Sequence, residues 1–136
     1  MPKLKKTNYI QTVARRRMAV ARVRLLKGKG ESLVNSQPAD IYFPGPVSKD
    51  VWRRPLRLVG AEDKYFITAK VEGGGKKGQL DAFVLGVAKA LVKEDAEKYK
   101  KVIKSAGLLT RDARIRQRRM VGMGGKARRK KQSPKR

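Results

Sequence analysis

The sequence predicts a small two-layer α+β domain carrying a long, basic C-terminal tail. Three observations lead there. Residues 19–26 and 65–71 alternate apolar and polar positions with the period of a strand. Residues 80–91 repeat apolar side chains with the period of a helix. After Arg114 the apolar periodicity stops, and residues 126–131 are nearly continuous charge.

The elements follow in chain order. In 19–26, Val23 and Leu25 alternate with Arg22 and Arg24, giving one apolar and one cationic face. Gly28-Lys29-Gly30 supplies a turn and Leu33-Val34 restarts a strand, so a hairpin is expected. Pro38 suits the first turn of a short helix over 39–42, and Pro44-Gly45-Pro46 breaks it. A second short helix over 48–54 is expected to stop at Pro55. The strand 65–71 places Tyr65, Ile67, Ala69 and Val71 on one face. Beyond Gly73-Gly74-Gly75, the residues Leu80, Phe83, Val84, Val87, Ala88 and Leu91 make one buried stripe, the clearest helix in the chain. A last helix over 96–105 has Tyr99, Val102 and Ile103 as its apolar face and Gly107 as its C-terminal cap. Residues 1–110 are read as the globular body with a basic N-terminal segment. Residues 111–136 are read as a tail that is disordered alone and extended when bound.

Charge is the outlying feature of the composition. Lys and Arg number 36 against 11 Asp and Glu, a formal net charge of +25. Residues 1–30 hold ten basic residues and no acid, and 111–136 hold twelve with one acid, Asp112. The pattern reads as a balanced body with charged extensions. Such an excess repels itself, so a polyanionic partner is expected, and nucleic acid is the commonest. The longest apolar run, 83–88, is far short of the ~20 residues of a spanning helix, which argues against a membrane partner. No apolar stretch follows Lys3, Lys5 and Lys6, so no secretory signal is expected. With neither Cys nor His, the chain has no disulfide, no Cys/His zinc site and no thiolate or imidazole catalysis. Glu62-Asp63 and Glu94-Asp95 are sequence neighbours whose side chains diverge at element boundaries, where acids cap helices or face solvent. No enzyme, cofactor or small-molecule substrate is expected. Aromatics are 6 % of the chain and none lies in Arg15-Arg16-Arg17 or 126–131. Phosphate contact and shape readout of folded RNA therefore fit better than base stacking.

The segment Gly73-Gly74-Gly75-Lys76-Lys77-Gly78 matches a dinucleotide-binding G-x-G-x-x-G and opens a helix after a strand. The acidic partner some 20 positions on is missing, since Glu94 and Asp95 fall between two helices. Gln79 stands where a phosphate-binding loop would continue with lysine. Two readings carry more weight. One is a tight strand-to-helix turn that needs positive φ. The other is close approach of an RNA backbone to bare glycine N–H groups, a helix N-terminus, Lys76 and Lys77.

Several ordered motifs are similar to those of a known family, the ninth protein of the small ribosomal subunit in its bacterial form. Arg15-Arg16-Arg17 with Ala21-Arg22-Val23 resembles the family's opening. Gly73-Gly74-Gly75 with Gly78-Gln79 resembles its G-G-G-x-x-G-Q. Ala106-Gly107 with Thr110-Arg111-Asp112-Ala113-Arg114 resembles its A-G-x-x-T-R-D-A-R, the most specific stretch. Lys126-Ala127-Arg128-Arg129 and the terminal Lys135-Arg136 extend the likeness, which runs from about Ala14 to the end.

The resemblance implies a roughly four-stranded sheet backed by two helices, with a left-handed βαβ crossover. It implies a structural constituent of the small subunit that binds ribosomal RNA in the subunit head and supports translation. It further implies a tail that reaches towards peptidyl-site tRNA, neighbouring small-subunit proteins as partners, and a cytoplasmic, ribosomal location. The ribosomal RNA contacts expected are Arg15, Arg16, Arg17, Arg22, Gly74, Gly75, Lys76, Lys77 and Gln79 in the body. In the tail they are Arg111, Arg114, Arg118, Arg119, Lys126, Arg128, Arg129, Lys130 and Lys131, with Lys135 and Arg136 as the tRNA contacts. Family members often carry basic residues where Val84 and Leu85 stand here, so an RNA contact from that helix is not expected.

Overall fold

Strand alternation organises the first part of the chain in the computed structural model, which describes residues 8–124. Strand β1 (Tyr9–Arg16) and strand β2 (Ala19–Lys27) form an antiparallel hairpin, paired from Arg16↔Ala19 to Tyr9↔Leu26. Its two-residue turn is Arg17-Met18, with Arg17 in the left-handed region at φ 54°. Charge distribution alone places 9–16 inside a charged extension. The strand was hidden because three of its four inward positions, Thr12, Ala14 and Arg16, are small or polar, and Ile10 alone is a large apolar one.

The hairpin expected between β2 and Leu33-Val34 does not form. Strand β5 (Tyr65–Glu72) pairs antiparallel with β2 instead, from Val20↔Glu72 to Lys27↔Tyr65. Strand β3 (Leu33–Val34) runs parallel to β5 on its far side and turns into β4 (Gln37–Pro38). The order β1-β2-β5-β3-β4 makes a five-stranded mixed sheet, one strand more than the resemblance implied. Asn35 and Ser36 make the β3–β4 turn with φ 49° and 66°, the double positive φ of a two-residue hairpin. Because β3 is so short, the side chain of Asn35 continues the ladder. Its Oδ1 accepts from Val71 N–H at 2.8 Å and its Nδ2 donates to Val71 O at 2.9 Å.

Helix α1 (Ala39–Tyr42) follows Pro38 as expected. Helix α2 (Pro46–Leu58) does not stop at Pro55 but carries it inside. A mid-helix proline removes one hydrogen bond and costs roughly 3 kcal/mol. Pro55 is fully buried between buried Trp52 and Leu56, and that burial offsets the loss. Helix α3 (Lys76–Glu94) exceeds the single stripe predicted for it. Ala82 to Ala88 are all buried, along with Gly78, Ala90 and Leu91, because the helix lies between the sheet and helices α2 and α4 (Ala96–Ser105). Val84 and Leu85 belong to this buried set. Phe83, Ile67 and Leu91 are among the largest fully buried side chains, each worth roughly 1.5–3 kcal/mol.

Both ends of α4 are closed as the sequence suggested. Asp95 caps α4 by accepting from Lys98 N–H at 3.2 Å. Beyond α4, Gly107 at φ 74° donates to Lys104 O, and Leu108 N–H donates to Ile103 O, a paired C-terminal cap. At that end of the molecule Lys27 pairs with Glu94, and Tyr65 is pushed up to about 12, first by burial and then by Tyr99.

Gly73 and Gly74 take φ 75° and 61°, so the tight-turn reading of the glycine cluster holds for these two. A Cβ on Gly73 would lie 2.5 Å from Met18 O, against the turn of the β1–β2 hairpin. Gly75 differs: its φ is −100° and nothing lies within 4 Å of an added Cβ. Gly73→Ala should lower unfolding free energy by about 1–3 kcal/mol in urea titration. Gly75→Ala should stay within about 0.5 kcal/mol of the parent in the same measurement.

Candidate nucleic-acid interface

The predicted RNA contacts of the body fall into three places. Hairpin geometry decides the first. Around the Arg17-Met18 turn, alternation sends Arg15 outwards and Arg16 inwards, while Arg17 stands exposed at the tip. A groove of about 500 Å³ runs here, lined by Arg15, Arg16, Arg17 and Lys77 with Asp81, Thr110, Asp112 and Arg114. The hairpin tip, the start of α3 and the root of the tail thus share one surface. Val84 and Leu85 also line it and supply an apolar floor where the family resemblance suggested basic residues.

Arg16 has a different job from its neighbours. Its side chain is only 12 % exposed and lies 3.8 Å from Asp81 and 3.2 Å from Asp112. Its Nη1 donates to Arg114 O at 3.0 Å. The cation therefore ties α3 and β1 to the first residues of the tail. Asp112 in turn accepts from the Arg114 backbone N–H and from both Nε and Nη2 of its guanidinium. Arg114, first by these hydrogen bonds, and then Arg16 hold the Asp112 carboxyl well below the usual carboxylate range. Leu108 and Leu109 are half-buried against the core, so the tail leaves the body from a fixed root.

The glycine turn is the second place. Gly74, Gly75, Lys76 and Lys77 are exposed there. The Lys76 ammonium lies 3.4 Å from the centroid of the Tyr42 ring, a cation–π contact. Gln79 is engaged at both ends of its amide. Its Nε2 donates to Gly73 O at 2.9 Å and its Oε1 accepts from Tyr42 O–H at 2.7 Å. Tyr42 O–H also accepts from Asn35 Nδ2 at 3.3 Å, so one chain of hydrogen bonds joins β5, the β3–β4 turn, α1 and the glycine turn. The literal dinucleotide fingerprint is thereby explained as architecture: two glycines turn the chain and the glutamine locks the turn.

Arg22 is the third, on the sheet face away from α3, together with Arg24 and Lys70. The cationic alternation in 19–26 announced Arg22 and Arg24, but Lys70 came within reach only through the β2–β5 register, which the sequence did not reveal. In the tail, Arg111, Arg114, Arg118 and Arg119 are exposed, and residues 108–124 carry no helix or strand. Lys126, Arg128, Arg129, Lys130, Lys131, Lys135 and Arg136 lie outside the described residues. Among the described residues no acidic cluster could hold a metal ion, and no helix is long and apolar enough to cross a membrane.

The clamp at Arg16 predicts its own pH response. A carboxyl whose folded pKa is lowered keeps its contacts above the ordinary value of about 4, and loses them only as pH falls through the lowered value. Amide chemical shifts of residues 108–114 should stay constant down to about pH 4 and move only below it. Asp112→Asn should give the acid-form shifts at every pH; a midpoint in the ordinary carboxylate range would refute the clamp. Arg16→Ala should speed tryptic cleavage after Arg114 and Arg116 several-fold while the body stays folded.

Comparison with known proteins meets the same residues. Residues 14–136 match the family described as ribosomal protein S9/S16. The chain is 40 % identical over 122 residues to a protein of Cutibacterium acnes (strain DSM 16379 / KPA171202) named small ribosomal subunit protein uS9, covering 90 % of this chain and 70 % of that one. It is also 40 % identical over 127 residues to a protein of the same name from Azobacteroides pseudotrichonymphae genomovar. CFP2, covering 93 % and 98 %. With nearly the whole chain matched, hairpin tip, glycine turn and tail root included, this protein belongs to the ribosomal protein S9/S16 family.

Proposed function

We propose that this protein is a structural constituent of the small ribosomal subunit that supports translation by holding ribosomal RNA in the subunit head. The observation that carries the reading is the placement of charge. The whole chain carries a net +25, and among the described residues the core holds no buried charged side chain, so the cations stand on the outside. Phosphates of folded RNA are the partner that matches such a surface, and neutralising them lets RNA helices approach one another. Membership of a ribosomal protein family and the name carried by its relatives support this reading. The protein acts as a scaffold, with no enzymatic step and no cofactor.

Within that reading the chain divides into a body, residues 1–110, and a tail, 111–136. Body contacts come from Arg15, Arg17, Arg22, Lys76 and Lys77 around the hairpin, sheet and glycine turn, with Gly74 and Gly75 leaving room for a phosphate. Arg16 and Gln79 shape these surfaces from within. Arg111, Arg114, Arg118 and Arg119 begin the tail's RNA contacts. Lys126, Arg128, Arg129, Lys130 and Lys131 continue them, and Lys135 and Arg136 reach the peptidyl-site tRNA. Neighbouring small-subunit proteins complete the surroundings, and the place of action is the cytoplasmic ribosome.

Tagged protein should co-sediment with small subunits at moderate salt in one copy per subunit; spread across all nucleic-acid fractions would refute a fixed ribosomal place. If about six tail cations contact phosphates, truncation at residue 110 should reduce the slope of log affinity against log salt by roughly 4–5. Removing Lys135 and Arg136 alone should leave assembly intact and weaken tRNA binding at the peptidyl site, and unchanged tRNA affinity would remove that role.

A further inference from the structure

One face of the sheet is sealed by helices and the other is not. Inward positions Ala14, Ala21, Val23, Leu25, Ile67 and Val71 are all buried, whereas outward Val13, Arg22, Arg24 and Lys70 are exposed. On this outward face lies an open groove of about 620 Å³, lined by strand and turn residues alone, among them Gln11, Arg22, Arg24, Thr68 and Lys70. Arg22 stands directly opposite Lys70 in the β2–β5 ladder. Like charges paired across strands are destabilising, so the bare sheet carries an electrostatic penalty at its centre. Glu72 pairs with Lys70 at 2.9 Å, and Arg22 acts on the same carboxylate only through the weaker, longer-range attraction. Neither Arg22 nor Arg24 takes part in a salt bridge among the described residues.

We propose that the Arg22 contact belongs to a wider ribosomal RNA site spread over this open face, separate from the tail, the hairpin tip and the glycine turn, which grips the sugar–phosphate backbone of a folded RNA segment across β1, β2 and β5. The proposal rests on the ribosomal reading above and adds a surface to it. Charge decides the kind of partner: three cations stand on the groove against one carboxylate, a like-signed set that matches a row of phosphates. Ring positions decide the mode. The Arg24 guanidinium sits 5.1 Å from the Tyr9 ring centroid, and a Cβ on Gly30 would lie 2.9 Å from the Phe66 ring, so neither ring offers a clear stacking face. Gln11 and Thr68 add side-chain donors beside the arginines, suited to phosphate and 2′-hydroxyl groups. Since the tail root is held by Arg16 on the inward side, the body would stand between two RNA segments and join them.

The test is the triple variant Arg22→Gln, Arg24→Gln, Lys70→Gln in the full chain, with the parent as control. If the parent itself fails to bind small-subunit ribosomal RNA, the ribosomal reading fails and not this site. Given a binding parent, the variant should show a slope of log affinity against log salt smaller by roughly 2–3. Its melting temperature should be equal to the parent's or higher, because the Arg22–Lys70 repulsion is gone. In the unmodified chain, bound RNA should slow acetylation of Lys70 several-fold, a readout that needs no variant to fold. An unchanged salt slope or an unprotected Lys70 overturns the proposal, including the case in which the variant loses only a neighbouring protein.

Discussion

How closely α3 lies against the sheet governs the rest of the molecule. Gly86 makes the approach: a Cβ there would sit 2.6 Å from Val23 Cγ2, and Thr12 Oγ1 donates to Gly86 O at 2.8 Å. With the sheet on one side and α2 and α4 on the others, this helix turns nearly its whole girth away from water. Its central stretch, residues 82–88, therefore holds only apolar side chains and glycine, and charged groups are pushed to the helix ends and the periphery. A compact interior with a cationic shell follows from that single packing choice.

The shell is not left loose. Two polar constructions fix where its cations stand, and both join parts distant in sequence. One is the run of hydrogen bonds from Val71 through Asn35, Tyr42 and Gln79 to Gly73, which sets the entry to α3 beside Lys76 and Lys77. The other is Arg16, whose guanidinium reaches Asp81, Asp112 and the Arg114 carbonyl and so aims the tail. In each case a residue that reads as a binding group spends its donors on its own chain, and its exposed neighbours do the facing outward. Direction of the cations, more than their number, is what such a framework contributes to RNA recognition.

What the sequence shows and hides follows from the range of the interactions involved. Periodicity is local, so β2, β5, α3 and α4 were legible, as were the caps at Asp95 and Gly107. Strand β1 was not, because Thr12 and Arg16 face a helix that lies some 70 residues away, as the 74-residue separation of Thr12 and Gly86 shows. The turn at Gly28-Lys29-Gly30 was read as closing a hairpin, yet β5 outcompetes β3 for the edge of β2 with an eight-residue ladder against two. Pro55 was read as a stop since local strain argues for one, and only tertiary burial overrules it. At the candidate interface the identity of the cations was plain from composition. The division of Arg15, Arg16 and Arg17 into outward, inward and turn positions needed the β1 register. Gln79 was opaque for the same reason, its partner Tyr42 lying 37 positions earlier.

The rims of the sheet bear on the life of the chain before it meets RNA. At one rim β4 is two residues long and ends in Pro38, which has no N–H to offer a stranger. At the other, β1 is long, but Arg15 sits on its outer side and the tip beyond it is Arg17. Short length, a missing donor and like-signed side chains are the devices that stop strands of separate copies from zippering together. Freshly made molecules thus keep their distance from one another by the same cations that later draw them onto a polyanion.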